Sequence, residues 1–145
     1  MRGVILDSDS FDRGDLDTAA LDACLDHWAR YRSTPPGEVL ERIDGCEVVV
    51  TNKVVIDAAA MATPALQLIV VAATGTNNID LTAAANERIT VCNVRDYASA
   101  AVSQHVFSLI LALATRLGDY TQAVRQGYWQ ESKVFCMLDY PIREL

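Results

Sequence analysis

The sequence predicts an α/β fold: a flavodoxin-like doubly wound parallel sheet, followed by a long C-terminal crossover helix and an irregular arm. Three observations predict it. Short apolar runs alternate with helical patterns about five times before residue 95, and parallel strands require such crossovers. Two of the runs, residues 46–50 (interrupted only by Glu47) and 68–72, are rich in valine and isoleucine, as in strands buried on both faces. After Asp96 the alternation stops, and residues 98–117 read as one apolar helix.

The elements follow in order. Residues 3–6 form a first strand, and residues 16–25 carry Leu16, Ala19, Ala20, Ala23 and Cys24 at helical spacing. Residues 27–31 form a short second strand. Ser33-Thr34-Pro35-Pro36-Gly37 is a loop whose prolines start a helix through Val39, Leu40 and Ile43, ended by Gly45. The third strand covers 46–50, an alanine-rich helix 57–61 and the fourth strand 68–72. A helix over 80–87 has Asp80 at its positive N-terminal end, and the fifth strand covers 89–93. In the long helix Val102, Val106, Leu109 and Leu113 make one stripe, while Phe107, Ile110 and Leu111 fill other sides. A helix apolar nearly all round needs cover on more than one face, so a second domain or subunit is expected. Residues 120–145 are aromatic and irregular, with Tyr128, Trp129, Phe135, Tyr140 and Pro141, and form the arm. The organisation is therefore a domain over 1–97 and a helix with its arm over 98–145.

Composition narrows the function. Of 145 residues, 51% are hydrophobic, enough for a sizeable core. The net charge of -7 argues against nucleic acid and anionic membrane as partners, yet a local cluster of N–H groups still attracts a small anion. Cys24, Cys46, Cys92 and Cys136 form no C-x-x-C pair and only two histidines exist, so no metal site is expected. Their spacing reads as free thiols in a reducing cytoplasm. The first seven residues turn acidic too soon for a signal peptide, and Ser99, Ser103, Gln104, His105 and Ser108 interrupt the most apolar region, which is not a membrane span.

In open parallel sheets ligands bind at the carboxyl ends of the strands. Two such ends are short and polar: Thr51-Asn52-Lys53 after the third strand, and Ala73-Thr74-Gly75-Thr76-Asn77-Asn78 after the fourth. Gly75 permits close backbone approach, successive N–H groups form an anion nest, and Lys53 adds a charge. Together they suit the carboxylate of a small acid. The plain alternative is a solvated lysine and a turn glycine. Asp7 and Asp9, at the first strand's end, read as cap or loop residues before they read as an acid–base pair. His105 stands mid-helix without a carboxylate to orient it, His27 lies in a strand, and Cys92 reads as a buried structural thiol. Tyr128 and Trp129 suit a protein contact. The seven glycines contain no G-x-G-x-x-G and no Walker A loop.

Three strings resemble the D-isomer-specific 2-hydroxyacid dehydrogenases. They are Val50-Thr51-Asn52-Lys53; Val70-Val71-Ala72-Ala73-Thr74-Gly75-Thr76-Asn77-Asn78-Ile79-Asp80; and Val91-Cys92-Asn93-Val94 followed by Val102-Ser103-Gln104-His105-Val106. The second and third are most similar to the glycerate dehydrogenase (hydroxypyruvate or glyoxylate reductase) branch. The resemblance covers essentially the whole chain. It implies the substrate-domain portion of an NAD- or NADP-dependent enzyme acting on a small 2-keto or 2-hydroxy acid, ending before the dinucleotide-binding domain. It also implies that the family's catalytic arginine, glutamate and histidine lie beyond this chain, and that His105 is not that histidine. The chain alone is then expected to be inactive and to hold no cofactor. By position the resemblance assigns the substrate carboxylate to Asn52, Lys53 and the N–H groups of Thr74 and Gly75, and places Val102 near the nicotinamide. It further implies a homodimer through residues 98–140. Residues 98–101 are blander than the family's usual stretch. From the residues alone, a non-catalytic small-acid-binding domain or a protein-interaction domain stays open.

Overall fold

In the computed structural model residues 1–135 are described. They divide into two units, one over Met1–Asp96 and a second that starts at Tyr97. The first unit runs β1 (Arg2–Ile5), α1 (Ala19–Asp22), β2 (His27–Arg30), α2 (Val39–Ile43), β3 (Val48–Thr51), α3 (Ala58–Met61), β4 (Leu68–Val71), α4 (Leu81–Asn86) and β5 (Thr90–Asn93). All strand pairs are parallel, in the order β2-β1-β3-β4-β5, with Val4 opposite Val49, Val49 opposite Ile69 and Ile69 opposite Val91. This is the flavodoxin-like order, and its direction reverses between β1 and β3.

The core lies on one face of the sheet. Val4, Leu6, Val49, Ile69 and Val71 pack with Val39 and Ile43 of α2, Ala60 and Met61 of α3, and Ala84 of α4. The helices start where side chains accept otherwise unpaired N–H groups. Asp57 takes Ala60 N–H at 2.9 Å and Asp80 takes Ala83 N–H at 2.9 Å. Gly45, at φ 66°, takes the left-handed conformation just past α2.

Several expectations need correction. The helix expected over 16–25 is a single turn. Ahead of it Asp12 accepts from Gly14 N–H at 2.7 Å and Asp17 from Ala19 N–H at 3.0 Å, so aspartates take the N–H groups a longer helix would use. The third strand begins at Val48, because Cys46 N–H bonds back to Ile43 O at 3.0 Å. The remaining boundaries differ by one or two residues.

The second unit holds α5 (Ser99–Ala114), α6 (Leu117–Arg125) and α7 (Tyr128–Glu131). The long helix therefore ends before 117. Arg116 N–H closes a tighter bond to Leu113 O at 3.2 Å, and Arg116 itself sits at φ 53°. The two helices meet at a 61° bend. The described part of the arm is helical as far as Glu131 rather than irregular throughout, with Gly127 at φ 84° between α6 and α7. Tyr140 and Pro141 lie outside the described residues. Among those residues no single helix is long and apolar enough to cross a membrane, although α5 and the bent α6 together have the length and composition.

On the face opposite the core, Leu25 and Trp28 cover Gly3. A β-carbon on Gly3 would stand 2.6 Å from both Leu25 Cδ1 and the Trp28 ring. The ring is held by Nε1 donating to Leu21 O at 3.1 Å. Gly3→Ala should therefore destabilise the protein by about 1–3 kcal/mol, the usual cost of overpacking. Urea unfolding followed by far-UV circular dichroism measures it, and an unchanged midpoint would show that Trp28 yields without cost.

Candidate functional site

The carboxyl ends of β1 and β3 meet at the point where the strand order reverses. Asp7, the first polar residue after β1, is 5% exposed. Its carboxylate accepts from Asn52 N–H at 2.9 Å, Lys53 N–H at 2.7 Å and Ser10 Oγ at 3.1 Å. Asn52 Nδ2 donates to Ser10 O at 3.1 Å. The β3 exit is thus fastened to the β1 exit. The N–H groups of Asn52 and Lys53, read from sequence as free for a ligand, are occupied by Asp7. The Asn52 amide, also buried, serves the same fastening. Asp9 pairs with Arg32 at 3.0 Å, and that hydrogen bond holds the guanidinium above its ordinary range. Both aspartates are loop fasteners, as their position after the strand suggests.

The exits of β3 and β4 are also joined. Ala72 N–H donates to Thr51 O at 2.8 Å, Ile56 N–H to Asn78 O at 2.9 Å and Asp80 N–H to Ile56 O at 3.1 Å. Asn78 Nδ2 donates to Val54 O at 2.9 Å, and Asn93 Nδ2 holds Thr74 O at 2.7 Å. Thr74 and Gly75 lie exposed in the loop so framed, and their N–H groups bond to nothing among the described residues. Gly75 does not take the left-handed conformation that a nest of alternating hand requires. A β-carbon there would meet only the Asn77 amide oxygen, at 3.2 Å. A forced turn therefore does not require the glycine. Lys53 is exposed and without an ion pair among the described residues.

A cavity of about 590 Å³ opens on the β1–β3 side, bordered by Asp7, Arg32, Thr34, Leu40, Lys53 and Val55 among others. Of the four residues assigned to a carboxylate, Lys53 lines this cavity, whereas Thr74 and Gly75 do not. Arg32 was not legible as a site residue, because the contact that places it is to Asp9, twenty-three positions away.

The other candidates stand apart. His27 and His105 are exposed. Cys92 is exposed rather than buried, since β5 is the sheet's edge. Among the described residues Cys46 is the buried thiol, and burial pushes its pKa up. Val102 on α5 is 58% exposed. Tyr128 and Trp129 are exposed, with the Trp129 ring 6.3 Å from that of Phe135.

Residues 10–133 match the D-isomer specific 2-hydroxyacid dehydrogenase catalytic domain. The chain is 42% identical over 137 residues to the glycerate dehydrogenase of Methylorubrum extorquens, covering 92% of this chain and 44% of that protein. It is 33% identical over 149 residues to the hydroxypyruvate reductase of Blautia hydrogenotrophica, covering 100% of this chain and 46% of that one. The chain thus spans less than half the length of these relatives. Its fold is shared by the 2-hydroxyacid dehydrogenase of Ketogulonicigenium vulgare (TM-score 0.75, 22% identity, 99% of this chain and 43% of that one). An acyclic imino acid reductase solved with NADPH and D-Arg also shares it (TM-score 0.75, 18% identity, 93% and 43%). On the strength of the matched domain, the chain belongs to the D-isomer specific 2-hydroxyacid dehydrogenase family, as its catalytic domain.

Proposed function

We propose that this chain provides the substrate-domain portion, residues 1–97, of an NAD- or NADP-dependent D-2-hydroxyacid dehydrogenase of the glycerate dehydrogenase type. Hydroxypyruvate or glyoxylate is the substrate reduced, in the cytoplasm. Residues 98–145 lead towards the dinucleotide-binding half. The observation that carries the reading is the framed loop after β4, where Thr74 and Gly75 are exposed beside the β3 exit and their N–H groups have no partner among the described residues. Two such donors suit the two oxygens of a carboxylate, and charge-assisted hydrogen bonds of this kind fix orientation. Lys53 adds attraction as a point charge without bidentate geometry. Asn52 acts through its place in the fastened loop. Asp7 is a positioning residue that sets where Lys53 is rooted.

NAD(P) supplies the hydride in this chemistry. The residues of this chain do not fit its pyrophosphate, because no two glycines stand in the G-x-G-x-x-G spacing. Val102 offers one exposed apolar contact for the nicotinamide side. What this chain contributes is binding and alignment of the keto acid. Accordingly the 145-residue chain should show no NAD(P)H-dependent turnover and no tight NADH binding. Saturable micromolar NADH binding by calorimetry would contradict this.

In the enzyme that contains this chain, Lys53→Ala should raise KM for hydroxypyruvate with little change in kcat, since it removes binding common to ground and transition states. The cost is about 1–3 kcal/mol, the range for a charged hydrogen bond. Gly75→Val should be worse, since it alters the loop itself, where a β-carbon would already stand 3.2 Å from the Asn77 amide oxygen. Unchanged constants in both variants would move the substrate elsewhere.

We also place a homodimer contact within residues 98–140, of which 136–140 lie outside the described residues. No residue of α5 is buried, and Phe107 and Leu113 are 64% and 79% exposed. Sedimentation should show a concentration-dependent dimer, whereas a monomer throughout would refute the contact.

A further inference from the structure

We infer that Asn93, the last residue of β5, is a positioning residue for the keto acid, whose side chain aims the N–H groups of Thr74 and Gly75 at the substrate carboxylate. The inference rests on the carboxylate reading proposed above and adds what sets the direction of its two donors.

The two peptide groups concerned are held from one side. Val94 N–H donates to Ala73 O at 3.1 Å, and Asn93 Nδ2 donates to Thr74 O at 2.7 Å. Ala73 O belongs to the peptide group that carries the Thr74 N–H, and Thr74 O to the one that carries the Gly75 N–H. A trans peptide group points its C=O and its N–H in opposite directions, and none among the described residues is cis. Holding both carbonyls towards β5 therefore turns both N–H groups away from it. On that side of β4 lies β3, whose exit carries Lys53.

An extended strand could not present this pair. Its successive carbonyls alternate between the two neighbouring strands, and its N–H groups alternate with them. The β4–β5 ladder runs in that manner to Val71 opposite Asn93, and the bond from Val94 to Ala73 adds one more rung. Continued without change, the chain would turn the next carbonyl, Thr74 O, to the other side. It bends over 72–74 instead, and the Asn93 side chain takes up the carbonyl that the bend brings round. Two consecutive N–H groups then share one side, as the two oxygens of a carboxylate require.

The chemistry of the contact follows from its partners. A carbonyl oxygen only accepts, so the amide must present Nδ2 to it. That bond also polarises the Thr74–Gly75 peptide group, because hydrogen bonds in series strengthen one another, and Gly75 N–H becomes the better donor. Asn93 is half-buried, and its backbone is paired in the ladder, so the amide extends from a fixed root. A carboxylate seated on two donors has its rotation set, and with it the direction of the neighbouring keto carbon. On one donor it pivots, and fewer bound molecules are aligned to react. Loss of the Asn93 amide should thus lower kcat as well as raise KM, whereas loss of Lys53 removes attraction alone.

Steady-state kinetics with hydroxypyruvate, in the enzyme that contains this chain, test the assignment. Asn93→Leu, similar in size but without a donor, should lower kcat/KM about tenfold or more, the effect of losing a charge-assisted hydrogen bond, with part of the fall in kcat. Asn93→Gln keeps an amide on a longer stem and should recover part of that loss. In the 145-residue chain, the ¹³C resonance of the Thr74 carbonyl should move upfield in Asn93→Leu, as a carbonyl does on losing a hydrogen bond. Unchanged amide shifts at Val49 and Ile69 would report that the sheet stays folded. Wild-type constants in Asn93→Leu beside an impaired Gly75→Val would overturn this inference and leave the carboxylate reading standing. Wild-type constants in both variants would remove that reading, and this inference with it. A rise in KM alone, an unmoved Thr74 carbonyl, or Asn93→Gln no more active than Asn93→Leu would each overturn the role given to the Asn93 amide.

Discussion

A carboxylate buried between two strand ends has to find donors, because an unpaired charge in that position costs several kcal/mol (roughly). Asp7 finds three, and two of them are the backbone N–H groups that begin the β3 exit. That choice sets the geometry of everything downstream. With Asn52 and Lys53 fixed, Val54 N–H turns back onto Thr51 Oγ1 at 3.1 Å. The next residues then lie where Ile56 can pair with Ile79. The β4 exit loop is framed by that pairing, and so inherits its position from a residue at the end of β1.

The sheet is covered unevenly, and the unevenness follows from the winding. The crossovers from β2 to β3, β3 to β4 and β4 to β5 all advance the same way, so right-handedness puts α2, α3 and α4 on one face. Only the β1–α1–β2 crossover goes the other way. On that second face Ile5, Val48 and Val50 are buried, Leu68 and Val70 are half-buried, and Cys92 is exposed. Cover fades steadily from β1 to the β5 edge. The thiol at Cys92 is open for that reason and not because of any local sequence signal.

The strands were legible because their signal is continuous: Val48–Thr51 is buried at every residue, and an unbroken β-branched run says so directly. The helix start at Asp80 was legible for a similarly local reason, an aspartate at the positive end of the helix, whereas the matching cap at Asp57 was read only as part of its helix. The shortness of α1 was not, since apolar periodicity over 16–25 does not register that Asp12 and Asp17 take the N–H groups first. The break at Arg116 was hidden because the apolar pattern runs straight across it. In the site, the polar loops could be read at the ends of β3 and β4. The occupation of the Asn52 and Lys53 N–H groups could not, because their acceptor lies about forty-five positions earlier in the chain.

A helix of 16 residues with none buried has little besides its own backbone to hold it. Isolated helices of that length are marginal in water, and β-branched and aromatic residues such as Val102, Val106 and Phe107 lower their propensity further. The sheet has no such debt, being fastened by its own core. Helicity in α5 is therefore borrowed from whatever surface lies against it, so local order there becomes a reporter of assembly. Heat and dilution should loosen that segment at a point of their own, well before the strands give way.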